Sequence, residues 1–294
     1  MANLKEIRTR IASVGTTKQI TSAMKMVSAA KLKKAQDAIL QFRPYASKMN
    51  EIIGSLSSNS SLDASSVLVK ERTVKKVLIV VYTSNRGLCG AFNNNVIKAS
   101  LQLCFDKFEK QLNAGNVHFI SIGKKGSEFL RSKKFEVIET HNELFESPKY
   151  DNVVPIAEHI IDLFSKGSYD HVALIYNQFK NAGVQILTEE QFLPVKPKKK
   201  KDEFLKQSDD FIFEPSINTI YDELVPKSLK IQMYKALLDS FASEHGARMT
   251  AMHKATDNAT EMIKDLTLVY NKARQAAITG EILEIVGGAE ALKG

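Results

Sequence analysis

The chain has 294 residues, 25% of them charged and 44% hydrophobic, with a formal net charge of +8. No apolar stretch approaches the ~20 residues that span a bilayer, the longest being Val77 to Tyr82, so an integral membrane protein is excluded. Ordinary hydrophobic content and 8% aromatics exclude a wholly disordered chain. Only 14 Gly and 7 Pro leave room for long uninterrupted helices. Two cysteines, Cys89 and Cys104, make no disulfide framework, and no CxxC or Cys/His cluster marks a metal site. The N-terminus, MANLKEIRTRI, is patterned as a helix and lacks an apolar signal core, so a cytoplasmic protein is expected.

The first segment, residues 1–58, carries ten Lys or Arg against three acids. A basic arm points to an acidic partner or to a merely solvated helix face. Aromatics that could stack on bases occur only at its end, Phe42 and Tyr45, which disfavours nucleic acid and leaves an acidic protein surface. Leu4, Ile7, Ile11 and Val14, then Leu32, Ala35, Ile39, Phe42, Ala46, Met49, Ile53 and Leu56, recur at three and four residues, the seam of a heptad pattern. Between them the frame falls on Lys18, Thr21, Lys25 and Ser28, whereas the apolar residues are Ile20, Met24 and Val27, so a register slip is expected. Pro44 should bend the helix or end one of its parts. Ser55 to Ser66 reads as a linker.

The middle segment, residues 67–205, changes period. Val77–Thr83 is a β-branched run of the kind buried on both faces. Then come a helix over Val96–Leu112, a strand Val117–Ile122, a helix Ser127–Lys133 and a strand Phe135–Glu139. A helix Val154–Phe164, a strand His171–Phe179 and an edge strand Val184–Pro194 complete it. This alternation predicts an α/β fold with a Rossmann-like, open and mostly parallel sheet.

The last segment, residues 220–294, has a seam from Ile231 through Leu238, Phe241, His245, Arg248, Met252, Ala259 and Leu266 to Leu283, and ends at Gly287-Gly288. Its polar members, His245 and Arg248, either fix register or mark where a partner helix ends and water begins, the second being favoured. Long helices at both ends of the chain pair as an antiparallel coiled coil if the middle domain returns the chain.

The loop Thr83 to Gly90 has two glycines at a strand-to-helix junction, yet neither GxGxxG nor a closing Lys-Ser/Thr is present. Gly123-Lys124-Lys125-Gly126 is weaker still, and both read as tight turns. Cys89 beside Arg86 invites a nucleophile of lowered pKa, but no motif links it to any of the six histidines, and a small buried thiol is the better reading. No catalytic, cofactor or metal residue is therefore expected. A nucleotide-using α/β enzyme with helical oligomerisation arms is the alternative.

The blocks IRTRIASVGTTKQITSAMKMVSAAK, SNRGLCGAFN and ATDNATEMIKDLTLVYNKARQAAITGEILEIVGGA occur in the order, and with the whole-chain extent, that resembles the gamma subunits of F-type ATP synthases. The resemblance implies a non-catalytic rotor shaft inside a hexamer of alpha and beta subunits, standing on the epsilon subunit and the membrane c ring. It implies peripheral attachment at the cytoplasmic face of a bacterial inner membrane, and no nucleic acid. By position, Arg274, Gln275 and Thr279 match the upper contact with beta, and Met24 and Lys25 match the segment near beta's acidic lever. Arg86, Gly87, Leu88 and Cys89 match the loop facing the ring. Phe213 and Glu214, in a foot at residues 206–219, match the contact with the c ring and epsilon. The dithiol insert of plant-type members is absent, and the resemblance assigns no role to Lys198–Lys201.

Overall fold

A computed structural model describes residues 4–57, 67–195 and 217–292. It divides into two compact units, Ala29–Arg248 and the pair Met1–Ser28 with Met249–Gly294. Two helices contribute to both: α1, Leu4–Ser57, and α6, Ile217–Ala291.

The larger unit is built on five strands in the order β3-β2-β1-β4-β5. They are β1 (Val77–Tyr82), β2 (Val117–Ile122), β3 (Glu136–His141), β4 (His171–Asn181) and β5 (Val184–Leu193). Neighbours are parallel except for the β4–β5 hairpin. The sheet is thus mostly parallel, as its alternating elements predict. Every residue of the central strand β1 is buried, which is why its run is continuously apolar. One face, through Val77, Ile79 and Val81, packs on Val96, Ala99 and Leu103 of helix α2 (Phe92–Lys107). On the other face the Tyr82 hydroxyl donates to the Met233 carbonyl of α6 at 3.3 Å.

The helix expected over Val96–Leu112 is two, α2 and the short α3 (Glu109–Asn113), broken at Phe108. Phe108 leaves helical geometry (φ −128°, ψ 29°) and sets its ring 5.0 Å from His171 in the core. Burial of that ring outweighs one more turn of helix. Helix α4 begins at Lys124, three residues before the expected start, because Gly123 at φ 101° makes the turn. Helix α5 spans Tyr150–Ser165, and β3 ends two residues later than the pattern indicates.

Pro44 does not end α1, and Pro226 lies inside α6. Each removes one amide donor, and packing on both sides compensates. Ile39 and Ala46 flank Pro44 and are buried, while the Phe42 ring meets Tyr234 edge-on at 5.0 Å. Val225 and Leu229 are buried around Pro226. Gly287-Gly288 likewise fails to stop α6, which runs on to Ala291.

In the smaller unit the expected register slip does not occur. Ile7, Thr21 and Ser28 of α1 are buried, so the seam keeps its frame through the polar stretch. The Thr256 hydroxyl donates to the Thr21 hydroxyl at 2.9 Å across it. Ile20 and Val27 instead face outward, 55% and 57% exposed. Burying short hydroxyls in the seam keeps the heptad geometry, and the apolar side chains form a separate outer stripe.

Candidate partner-contact surfaces

The loop after β1 is locked by its own side chains. Ser84 N–H donates to Asn93 Oδ1 at 2.9 Å, and the Ser84 hydroxyl to the Arg86 carbonyl at 2.6 Å. Lys124 N–H goes to Asn85 Oδ1, Lys125 N–H to the Ser84 carbonyl, and Gly126 N–H to the Thr83 hydroxyl at 2.8 Å. The amides of Ser84, Lys124, Lys125 and Gly126 are therefore already committed within the chain, and of the Gly123–Gly126 stretch, expected as a turn, only Gly123 turns, the rest being the first turn of α4.

In an open parallel sheet, ligands settle where strand order reverses, here between β1 and β4. Helix α6 fills that crevice. The Ser243 hydroxyl donates to the Asn177 carbonyl at 3.0 Å. A Cβ placed on Gly246 would lie 3.1 Å from the Ala182 carbonyl oxygen, which is how closely the helix and the β4–β5 turn approach.

Next to Gly246 lies a buried charged cluster. Glu244, His245 and Arg248 are 5%, 5% and 7% exposed. Arg248 Nη1 stands 2.5 Å from Glu244 Oε1. Its Nη2 donates to the Arg86 carbonyl at 2.9 Å and to the Gly87 carbonyl at 3.3 Å. The expectation that His245 and Arg248 sit at the water's edge is overturned. The guanidinium has a carboxylate and two loop carbonyls to satisfy it, so the seam takes a charge without stranding it. Burial pushes the Glu244 carboxyl up, against the pull of Arg248 and Lys31. Burial, with Arg248 and Lys31 nearby, drives His245 down to about 3. That histidine binds its proton more weakly than in the unfolded chain, so its share of stability is lost as pH falls from ~6.5 toward 3. Its imidazole resonances should stay at their neutral positions from pH 8 to 4, a titration by NMR that finds a midpoint near 6 being the contrary result.

Cys89 does not have the lowered pKa that Arg86 suggested. Its thiol is 1% exposed, 3.3 Å from Asn93 Nδ2, and burial pushes its pKa up. The same burial removes Cys89 from direct contact with a partner in this conformation. Its neighbour Leu88 is 65% exposed at φ 63°, and Arg86 is exposed too. Of the four loop residues singled out by resemblance, Leu88 is thus the exposed apolar one and Cys89 the buried one.

Five of the remaining residues singled out from sequence fall in the smaller unit. Met24 and Lys25 are half-buried on α1, beside the outward-facing Ile20 and Val27. Arg274, Gln275 and Thr279 are exposed on α6, among exposed Ile278, Ile282, Leu283, Ile285 and Val286. Phe213 and Glu214 lie outside the described residues, as does Lys198–Lys201. Among the described residues no cluster of His, Cys, Asp or Glu could hold a metal, and no helix is long and apolar enough to cross a membrane.

A family model described as ATP synthase matches residues 3–292. The chain is 59% identical to the ATP synthase gamma chain of Flavobacterium psychrophilum and 45% identical to that of Chlorobium phaeobacteroides, over the full length of each. Among solved structures it is similar to a chain of the Tetrahymena thermophila mitochondrial ATP synthase central stalk and c-ring, at 25% identity and a TM-score of 0.57. That match covers 80% of this chain and 99% of the other. A chain of the Euglena gracilis mitochondrial ATP synthase shares the fold at a TM-score of 0.70 and 19% identity, with 98% and 94% covered. Whole-length identity of this order, on a fold with its ligand crevice filled by its own helix, establishes that the chain belongs to the ATP synthase gamma chain family.

Proposed function

We propose that this chain is the central rotor shaft of an F-type ATP synthase, turning within a ring of alpha and beta subunits. Ion flow through the membrane c ring turns it, and its asymmetry drives the beta sites through ATP synthesis or hydrolysis. It is a non-catalytic subunit, the chemistry belonging to beta. The observation that carries the reading is the end of α6, where Ile278, Ile282, Leu283, Ile285 and Val286 are each 47–71% exposed. At 3.6 residues per turn these side chains share one broad face of α6, within an arc of about 160°. An apolar face of that size left exposed by the chain's own elements is what a partner surface covers.

In this reading Arg274, Gln275 and Thr279 contact beta at the top of the shaft, and Met24 and Lys25 meet its acidic lever. Arg86 and Leu88 face the ring from the loop after β1, with Cys89 supporting them from beneath. Residues 1–58 and 220–294 form the shaft, 67–205 the α/β domain, and 206–219 a foot whose Phe213 and Glu214 meet the c ring and epsilon. The subunit is held at the cytoplasmic face of a bacterial inner membrane through those partners.

The test is a tether. A cysteine introduced by Leu88→Cys, paired with one in beta at the facing position, forms a disulfide on oxidation when their Cα atoms come within about 7 Å. ATP hydrolysis by the assembled complex should stop when the bridge forms and return on reduction. Full turnover with the bridge closed would rule out rotation of this subunit against the ring.

A further inference from the structure

Helices α1 and α6 meet strand β4 within the larger unit around one buried carboxylate. Asp239 on α6 is 3% exposed and accepts a hydrogen bond from Phe179 N–H, where the β4–β5 register shifts. The charged and titratable groups facing it are Lys235 on its own helix, Arg43 from α1, Glu190 from β5 and Tyr176 from β4. The Tyr176 hydroxyl is committed to Glu190 at 2.9 Å. Beside Asp239 opens a cavity of about 540 Å³ lined by Ile39, Phe42, Pro44, Gln178 and Leu238, which gives water a path to the carboxylate.

A carboxylate in this position is a local conflict, because an amide or an apolar residue would fill the site without a charge to desolvate. Burial is the largest influence on it and outweighs the attraction of Lys235 and Arg43, so its pKa is pushed up to about 6. The junction therefore binds a proton more tightly closed than open. We propose that Asp239 makes this junction proton-responsive, holding α1 and α6 closed on β4 when protonated and favouring local opening through the cavity when ionised. The sign follows from linkage. A carboxyl whose folded value lies above its unfolded one stabilises the closed form fully below ~4, and that stabilisation is lost as pH rises through about 6. The base of the helix pair is tightest in acid, opposite to the usual behaviour of a paired carboxylate.

Amide exchange of the full-length chain tests this, corrected for intrinsic rates and read at peptides covering residues 39–46 and 176–181. The opening constant of the wild-type chain should rise about tenfold between pH 5 and pH 7.5. Asp239→Asn keeps an acceptor for Phe179 N–H but cannot ionise, so its opening constant should stay flat and lie below the wild-type value at pH 7.5. Arg43→Gln removes a cation that favours the ionised form and should move the wild-type midpoint to higher pH, which a purely structural role would not do. Equal pH dependence in wild type and Asp239→Asn, greater opening of Asp239→Asn at pH 7.5, or an unmoved midpoint in Arg43→Gln would each overturn the proposal.

Discussion

Arg248→Met should lower the stability of the full-length chain by about 3–5 kcal/mol, because it leaves Glu244 as a buried charge without its partner. Three losses coincide at that position. The ion pair at 2.5 Å disappears, and the Arg86 and Gly87 carbonyls lose their donor. The Leu88 segment then loses its anchor to α6. Adding Glu244→Gln should recover part of the loss, since a neutral amide costs far less to bury than an unpaired carboxylate. Denaturant melts of the two single variants and the double give the coupling between the residues directly. If the double variant is as unstable as the sum of the singles, the pair is not the unit described above.

Gly123→Ala should be costlier still, about 4 kcal/mol or more, and is expected to abolish soluble expression. At φ 101° an alanine is strained before any contact is considered. Its Cβ would stand only 1.8 Å from the Thr83 carbonyl oxygen, and backbone in mid-sheet cannot retreat. The loop after β1 would have to leave β2, and with it the hydrogen bond from Thr83 N–H to the Ile122 carbonyl. Gly87→Ala is the control, because it has open space and no positive φ, and its melting temperature should match the parent. Equal behaviour of the two variants would mean that the turn at Gly123 is not what holds the loop.

The parts of this fold that were legible in sequence are those where burial alone sets the residue type. Strand β1 reads as central because both its faces are covered, and the β4–β5 hairpin reads as an edge because its apolar run becomes mixed. The helix seams were legible for the same reason wherever apolar residues fill them. They failed at Thr21 and Ser28, where hydroxyls bond within the seam, and at His245 and Arg248, where loop carbonyls satisfy a buried charge. Hydrophobic periodicity registers what a residue is, and cannot register which backbone acceptors the fold will bring to it. Arg86, Leu88 and Cys89 were placed on one loop by resemblance alone, which cannot tell that Leu88 is exposed and Cys89 buried. The pair Glu244 and Arg248 stands four apart on a helix, a spacing that signals an ion pair, but only the loop after β1, whose carbonyls complete the guanidinium's bonding, explains how it can be buried.

Along α6, the last buried residue is Ala259. From there to Leu292 every described side chain is exposed or half-buried, so helical order over some thirty residues draws little on enclosure by its own chain. Isolated helices of that composition are only marginally favourable in water, and their ends fray first. In the free chain the least protected peptide bonds therefore lie in this stretch, and a protease should cut there before it cuts the larger unit.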